Sequence, residues 1–191
     1  TDIYKPIFDL VKSLSKNDIL ESQRIITDHI KAATWMIMDG VEPSRNEQGY
    51  ILRRIIRRAI RHGKKLGIDG LFTRKVGDMA IQQFSPIWPK LETDKESILN
   101  ILEEEEKKFS KTLENGLKEF EKLHVGVYEV DGQKQYSTVP LTKYGDNLAF
   151  KLYDTYGFPF EMTMEELKNT GIEFDEILTK EIFEEKLKEH Q

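Results

Sequence analysis

Cysteine is absent from the 191 residues, which excludes disulfides, thiolate zinc sites and thiol catalysis. Histidine is scarce: His29, His62, His124 and His190 are scattered and never fall at metal-ligand spacing, so metal chemistry is not expected. No apolar run reaches the length of about 18 residues that a membrane span needs. The first twenty residues carry charges throughout, without the apolar block of a signal peptide, so a soluble cytoplasmic chain is expected. Glycine (12) and proline (6) are sparse in a sequence rich in Glu, Lys, Leu and Ile, which predicts helices rather than a sandwich or barrel. Position 1 is Thr rather than Met, which points to an excised fragment or a processed product.

What is present is an uneven charge. The formal net charge is -5, yet Arg53, Arg54, Arg57, Arg58, Arg61, Lys64 and Lys65 are seven of the 29 basic residues. Without them 22 basic residues face 34 acidic ones. An acidic chain with one concentrated basic segment fits one dedicated anionic partner better than a general affinity for polyanions.

Hydrophobic spacing predicts a mostly α fold. Residues 5–14 form a short amphipathic stretch, and Asn17 or Asp18 is placed to cap a helix running to Gly40. In that helix Ile25, Ile26, His29, Ala33, Met36 and Ile37 recur at helical spacing. Residues 41–48 (VEPSRNEQ) read as a loop before a basic helix over 50–66, which is followed by a helix over 71–84. After Pro86 and Pro89 a single long helix is expected over 91–124, interrupted by no proline. Residues 125–139 then change to β-branched and aromatic types around Asp131-Gly132, a hairpin signal. Helices are expected again over 146–156, 161–169 and 175–189. The domain reading is a helical bundle over 1–124, a β-hairpin or loop insertion over 125–139, and a second short helical lobe over 140–191.

On a helical wheel Leu52, Ile55, Ile56, Ala59 and Ile60 share one side of the basic helix, and the seven cations lie within about 140° on the other. Like charges four apart cost roughly 0.2–0.5 kcal/mol per pair, so this face opposes its own helix. No acidic residue lies between Glu47 and Asp69 to relieve it. Glu103–Glu106 could neutralise the face within the fold, or an acidic protein could dock on it as on a helical interaction module. The preference for Arg over Lys, five to two among the seven, favours bidentate pairing to phosphate, and hence a nucleic-acid backbone.

Residues 28–67 (DHIKAATWMIMDGVEPSRNEQGYILRRIIRRAIRHGKKLG) and 152–163 (LYDTYGFPFEMT) closely resemble the alanyl-tRNA synthetase family. The order and approximate spacing of these landmarks hold from about Ser22 onwards. The resemblance is to the helical region that follows the class II catalytic core and recognises the acceptor stem. It implies alanine tRNA as partner, together with the catalytic and editing domains of a larger ligase. ATP and Mg would be used by that catalytic domain. The class II active-site motifs and the editing domain's zinc ligands are not in this chain, so it needs no cofactor of its own and catalysis is assigned to none of its residues.

The family reads a guanine–uracil wobble pair with an aspartate in the YDTYGFP motif and an asparagine in the loop before the basic helix. The aspartate matches as Asp154. A carboxylate is repelled by phosphates, but the shallow A-form minor groove exposes the guanine 2-amine, which a carboxylate can accept. At the asparagine position this sequence has Arg45, and the asparagine is displaced by one to Asn46. Arginine has donors only and cannot accept from that amine. Either Asn46 substitutes through a shifted loop, or the pair is read differently. The resemblance also covers Asp28-His29, but a lone histidine on an apolar stripe is read as packed and given no chemistry.

Overall fold

The computed structural model describes residues 2–121, 127–130, 133–136, 141–169 and 175–189. Among them the chain is mostly α. The helices are α1 (Lys5–Leu14), α2 (Leu20–Met38), α3 (Glu47–Lys65), α4 (Thr73–Phe84), α5 (Lys90–Thr93), α6 (Lys95–Glu121), α7 (Leu141–Tyr156), α8 (Phe160–Asn169) and α9 (Glu176–Glu189). Strands β1 (Val127–Val130) and β2 (Gln133–Tyr136) pair antiparallel, from Val127 opposite Tyr136 to Val130 opposite Gln133. The Asp131-Gly132 step on which the hairpin expectation rested lies outside the described residues. No helix among the described residues is long and apolar enough to cross a membrane.

The chain divides into two compact units, residues 1–110 and 111–191. The division falls inside α6 and not at residue 124, because the second half of α6 takes its partners from the C-terminal helices.

In the first unit Ile26, Ile30 and Ala33 of α2 are fully buried together with Leu52, Ile56 and Ala59 of α3, Val76, Ala80 and Ile81 of α4, and Leu102 of α6. The buried stripe of α2 is therefore centred one residue away from the spacing read in the sequence, and Ile25, His29 and Met36 are half-buried. Neither Asn17 nor Asp18 caps α2. The cap position is Ile19, with no side-chain bond. Asn17 Nδ2 instead donates to the Lys65 carbonyl at 2.9 Å, and Asp18 Oδ1 accepts from Gln23 Nε2 at 3.0 Å.

The long helix expected over 91–124 is two helices. Asp94 leaves helical geometry (φ -97°, ψ 8°) after the single turn of α5, and α6 restarts with the Ile98 amide on the Asp94 carbonyl at 3.0 Å. Thr93 and Asp94 are residue types whose side chains compete for backbone hydrogen bonds, and Thr93 Oγ1 donates to the Pro89 carbonyl.

Glu106 of α6 ties α4 into this unit. Helix α4 has no cap of its own, and its first amides are met by a carboxylate 33 residues away in sequence. Glu106 accepts from the Phe72 amide at 3.1 Å, the Thr73 amide at 2.9 Å and the Thr73 hydroxyl at 2.6 Å. A carboxylate there also faces the positive end of the helix dipole. Burial pushes the Glu106 carboxyl above its ordinary value, and the three donors pull it back.

In the second unit α7 ends at Gly157 (φ 69°), whose amide donates to the Tyr153 carbonyl at 3.1 Å while the Phe158 amide donates to Leu152 at 2.9 Å. Phe158 is fully buried, and it is seated on Gly116 of α6. A Cβ at Gly116 would lie 2.3 Å from the Phe158 ring, so the one glycine in this stretch of α6 is the socket for the phenylalanine. Thr112 Oγ1 donates to the Tyr156 carbonyl at 2.8 Å, holding the end of α7 against the same helix. Phe183 of α9 meets Phe160 and Tyr153 at 4.6 and 5.3 Å between ring centroids.

Two stability losses follow. Glu106→Ala leaves three donors without their acceptor and is expected to cost about 3 kcal/mol or more, since each buried unsatisfied group costs about 1–3. Glu106→Gln, which keeps one acceptor oxygen, should lose less. Phe158→Ala should cost about 3–5 kcal/mol. Urea denaturation of each variant measures both.

Candidate nucleic-acid interface

Helix α3 begins at Glu47, three residues earlier than the sequence predicts, and its apolar stripe Leu52, Ile56, Ala59 and Ile60 is buried. The basic side is not uniform. At one edge Arg57 is only 5% exposed, its Nε donating to Glu105 Oε1 of α6 at 2.6 Å. Its guanidinium carbon stands 4.9 Å from the Phe109 ring centroid, and Arg53 Nε is 3.6 Å from the same Glu105 oxygen. Burial pulls the Arg57 guanidinium below its ordinary value, and the Glu105 carboxylate opposes that pull. Arg57 is therefore corrected from a phosphate contact to half of a buried ion pair. Glu105 is the part of the Glu103–Glu106 run that neutralises this edge. Glu103 instead pairs with Lys107 at 2.7 Å and Arg74 at 3.5 Å.

Arg54, Arg58, Arg61 and Lys65 form a separate stripe, spaced four, three and four residues apart, so that they stack along one face. All four are half-buried, and Lys64 beside them is exposed. Arg58 Nη1 donates to His29 Nε2 at 3.2 Å, and His29 Nδ1 lies 3.7 Å from Asp28 on the same α2. Burial, then Arg58, lowers the His29 imidazole from its ordinary value, so the ring is neutral and accepts at Nε2. His29 thus does more than fill an apolar stripe, because it orients one cation of the basic face.

The loop before α3 exposes Arg45 and Asn46. Asn46 is the N-cap residue in extended geometry (φ -125°, ψ 153°), and Glu47 follows with φ 48°, the one non-glycine in the left-handed region among the described residues. Gly49, whose lack of a side chain would let a phosphate approach the first amides of a helix, sits inside the first turn of α3. The close approach it allows is taken up by the chain itself. A Cβ there would stand 2.2 Å from Ser44 Oγ and 2.5 Å from the Glu42 carbonyl. Glu105 lay within the Glu103–Glu106 run read as a possible partner of this face, whereas Ser44 was not singled out; its available signal was a hydroxyl two residues before a helix cap.

Asp154 belongs to the second unit, exposed in the last turn of α7. That turn holds no basic residue, and an acid there lies at the negative end of the helix dipole, a placement that costs about 0.3–1 kcal/mol.

A basic helix face and an acidic residue at the mouth of a glycine turn, in a helical chain, accord with what comparison with known proteins shows. The chain belongs to the family of tRNA synthetases class II (A), whose pattern matches residues 1–191. Alanine–tRNA ligases are among the proteins it is similar to. That of Fusobacterium nucleatum subsp. nucleatum is 41% identical over 170 residues, covering 89% of this chain and 18% of the relative. That of Thermotoga sp. strain RQ2 is 36% identical over 183 residues, with 92% and 19% covered. Alanine–tRNA ligase 1 of Lachnoclostridium phytofermentans is 43% identical over 155 residues, with 81% and 17% covered. The chain thus spans under a fifth of the length of these relatives.

Removing one partner of the buried pair is expected to be costly. Arg57→Ala should destabilise by about 3–5 kcal/mol by stranding Glu105, whereas the double change Arg57→Met with Glu105→Leu should recover most of that loss. Thermal unfolding of the single and double variants checks both. Because the His29 value is lowered in the folded state, the unfolded chain binds the extra proton. This contribution to stability is present above about pH 6.5 and is lost as pH falls below it. His29→Gln should flatten that part of the stability profile between pH 7 and 5.

Proposed function

We propose that the chain binds the acceptor stem of alanine tRNA, as the tRNA-recognising part of a cytoplasmic alanine–tRNA ligase. The attachment of alanine, with ATP and Mg, would be carried out by a catalytic domain of the longer protein. The observation that carries this reading is the stripe Arg54, Arg58, Arg61 and Lys65 with its exposed neighbour Lys64. It follows about 16 Å of helix at 1.5 Å per residue and is retained despite like charges four apart. Phosphates along an RNA strand supply the opposite charge along such a line, and guanidinium groups meet them bidentately. Arg53, at the edge shared with Glu105, contributes less.

Phosphate contacts fix register and carry no sequence information, so base reading needs other groups. Asp154 supports that role. Its carboxylate accepts hydrogen bonds only, matches the guanine 2-amine in a shallow minor groove, and is placed where its own helix disfavours it. Arg45 and Asn46, exposed before the basic helix, are the second pair of candidates.

Anisotropy titrations with an alanine-tRNA minihelix test this reading. Binding should weaken steeply with salt, and Arg54→Gln and Arg61→Gln should each lower affinity for all stems alike while reducing the salt slope by about one. Asp154→Asn should lose about 1–3 kcal/mol on a guanine–uracil stem and little on a guanine–cytosine stem, where the amine is already paired. Salt-insensitive binding, or capture of an acidic protein that tRNA does not displace, would favour a protein-docking face instead.

A further inference from the structure

We propose that the groove between α1 and α2 holds one nucleoside monophosphate unit, supplied by an unpaired nucleotide at the end of the bound RNA. Its phosphate lies on Arg24 and Lys31 and its base against Tyr4. The proposal rests on the acceptor-stem reading above and adds a site outside the basic helix.

The groove has a volume of about 440 Å3, and its walls include Tyr4, Lys5, Phe8, Arg24, Asp28 and Lys31. Pockets for small ligands run from roughly 300 to 1,000 Å3, so this one suits a single nucleotide and excludes a duplex. Arg24, Thr27, Asp28 and Lys31 recur three and four residues apart and therefore share one face of α2.

Three cations face one acid in this groove, in a chain whose formal net charge is -5. Lys5 is paired with Asp9 of its own helix. Arg24 is exposed and meets no acid among the described residues. Lys31 Nζ stands 4.9 Å from the Trp35 ring centroid and 5.5 Å from that of Tyr4. Aromatic faces hold an ammonium without neutralising it, so its charge remains for an anion.

The second element is the ring wall. Tyr4 is 36% exposed and Phe8 is half-buried. Cations for the backbone beside aromatic rings for the bases are the combination that binds single-stranded nucleic acid. Inorganic phosphate would answer the cations and leave the rings unused. Asp28 accepts hydrogen bonds only, which suits a ribose hydroxyl and not a phosphate.

Position connects the groove to the basic stripe. The Asp28 carboxylate that lines it is 3.7 Å from His29 Nδ1, and His29 Nε2 accepts from Arg58 at 3.2 Å. A single imidazole thus stands between the groove and a guanidinium of the stripe. A strand that leaves its duplex beside Arg58 meets the groove next, and an acceptor stem is where a tRNA duplex gives way to unpaired nucleotides.

Anisotropy titrations of the full chain would compare two minihelices of identical duplex, one with its unpaired 3′ nucleotides and one blunt. The tailed form should bind about tenfold tighter. Arg24→Gln, at an exposed position, should abolish that advantage and leave the affinity for the blunt stem unchanged, and Lys31→Met should do the same. Adenosine monophosphate should compete with the tailed form alone, bringing it down to the blunt affinity, and a thiouridine in the tail should crosslink to the segment carrying Tyr4 and Phe8. Equal losses on both stems in Arg24→Gln would make Arg24 a duplex contact and overturn the proposal, as would a tail advantage kept in both variants. Adenosine monophosphate bound through Arg24 in a chain that shows no tail advantage would assign the groove to a free nucleotide and overturn the RNA end as its source. Equal affinity for the two stems without such binding overturns the proposal and leaves the acceptor-stem reading standing. Binding to neither stem overturns both.

Discussion

Two adjacent carboxylates on α6, Glu105 and Glu106, hold the first unit in its arrangement. Consecutive helical residues project about 100° apart, so the pair addresses two different helices. Glu105 takes the Arg57 guanidinium of α3, and Glu106 takes the unsatisfied amides at the start of α4. Both acids are buried, and a buried carboxylate persists only where charge or donors meet it. The pairings therefore fix how α3 and α4 are rotated against α6. They also decide which basic residues of α3 remain on its outer face.

That division of labour gives the basic helix two kinds of arginine. Arg57 is a core residue whose charge is spent inside the fold, with Arg53 at its margin. Arg54, Arg58, Arg61 and Lys65 form the stripe for which a polyanion is proposed. The neutral imidazole of His29 takes one donor of Arg58 and holds the guanidinium without cancelling its charge. Such a face matches a phosphate backbone in charge, while reading the 2-amine of a guanine would take an acceptor, which a cation cannot supply.

Much of this was legible in the sequence, because helix formation and amphipathic faces are local. Leu52, Ile56, Ala59 and Ile60 announce the buried side of α3 by spacing alone, and Gly116 stands out in a long helix that otherwise lacks glycine. What was not legible depends on partners distant along the chain. Arg57 falls within the basic arc of the helical wheel, and only Glu105, 48 residues on, shows it to be buried. The capping of α4 by Glu106 replaces a local cap signal that is missing. Gly49 looked like a place for a phosphate to approach, whereas the approach is made by Ser44. The break at Asp94 had a local cue in Thr93 and Asp94, outweighed there by the absence of proline.

Hydrogen–deuterium exchange of the chain with and without an alanine-tRNA minihelix tests the central claim most directly, since it maps contact without altering any residue. The account predicts slowed exchange in the loop over 43–48 and along the polar side of α3 over 54–65, together with the end of α7 around Asp154. It predicts little change in α4. Protection confined to α4, with α3 and the loop unaffected at saturating RNA, would contradict it.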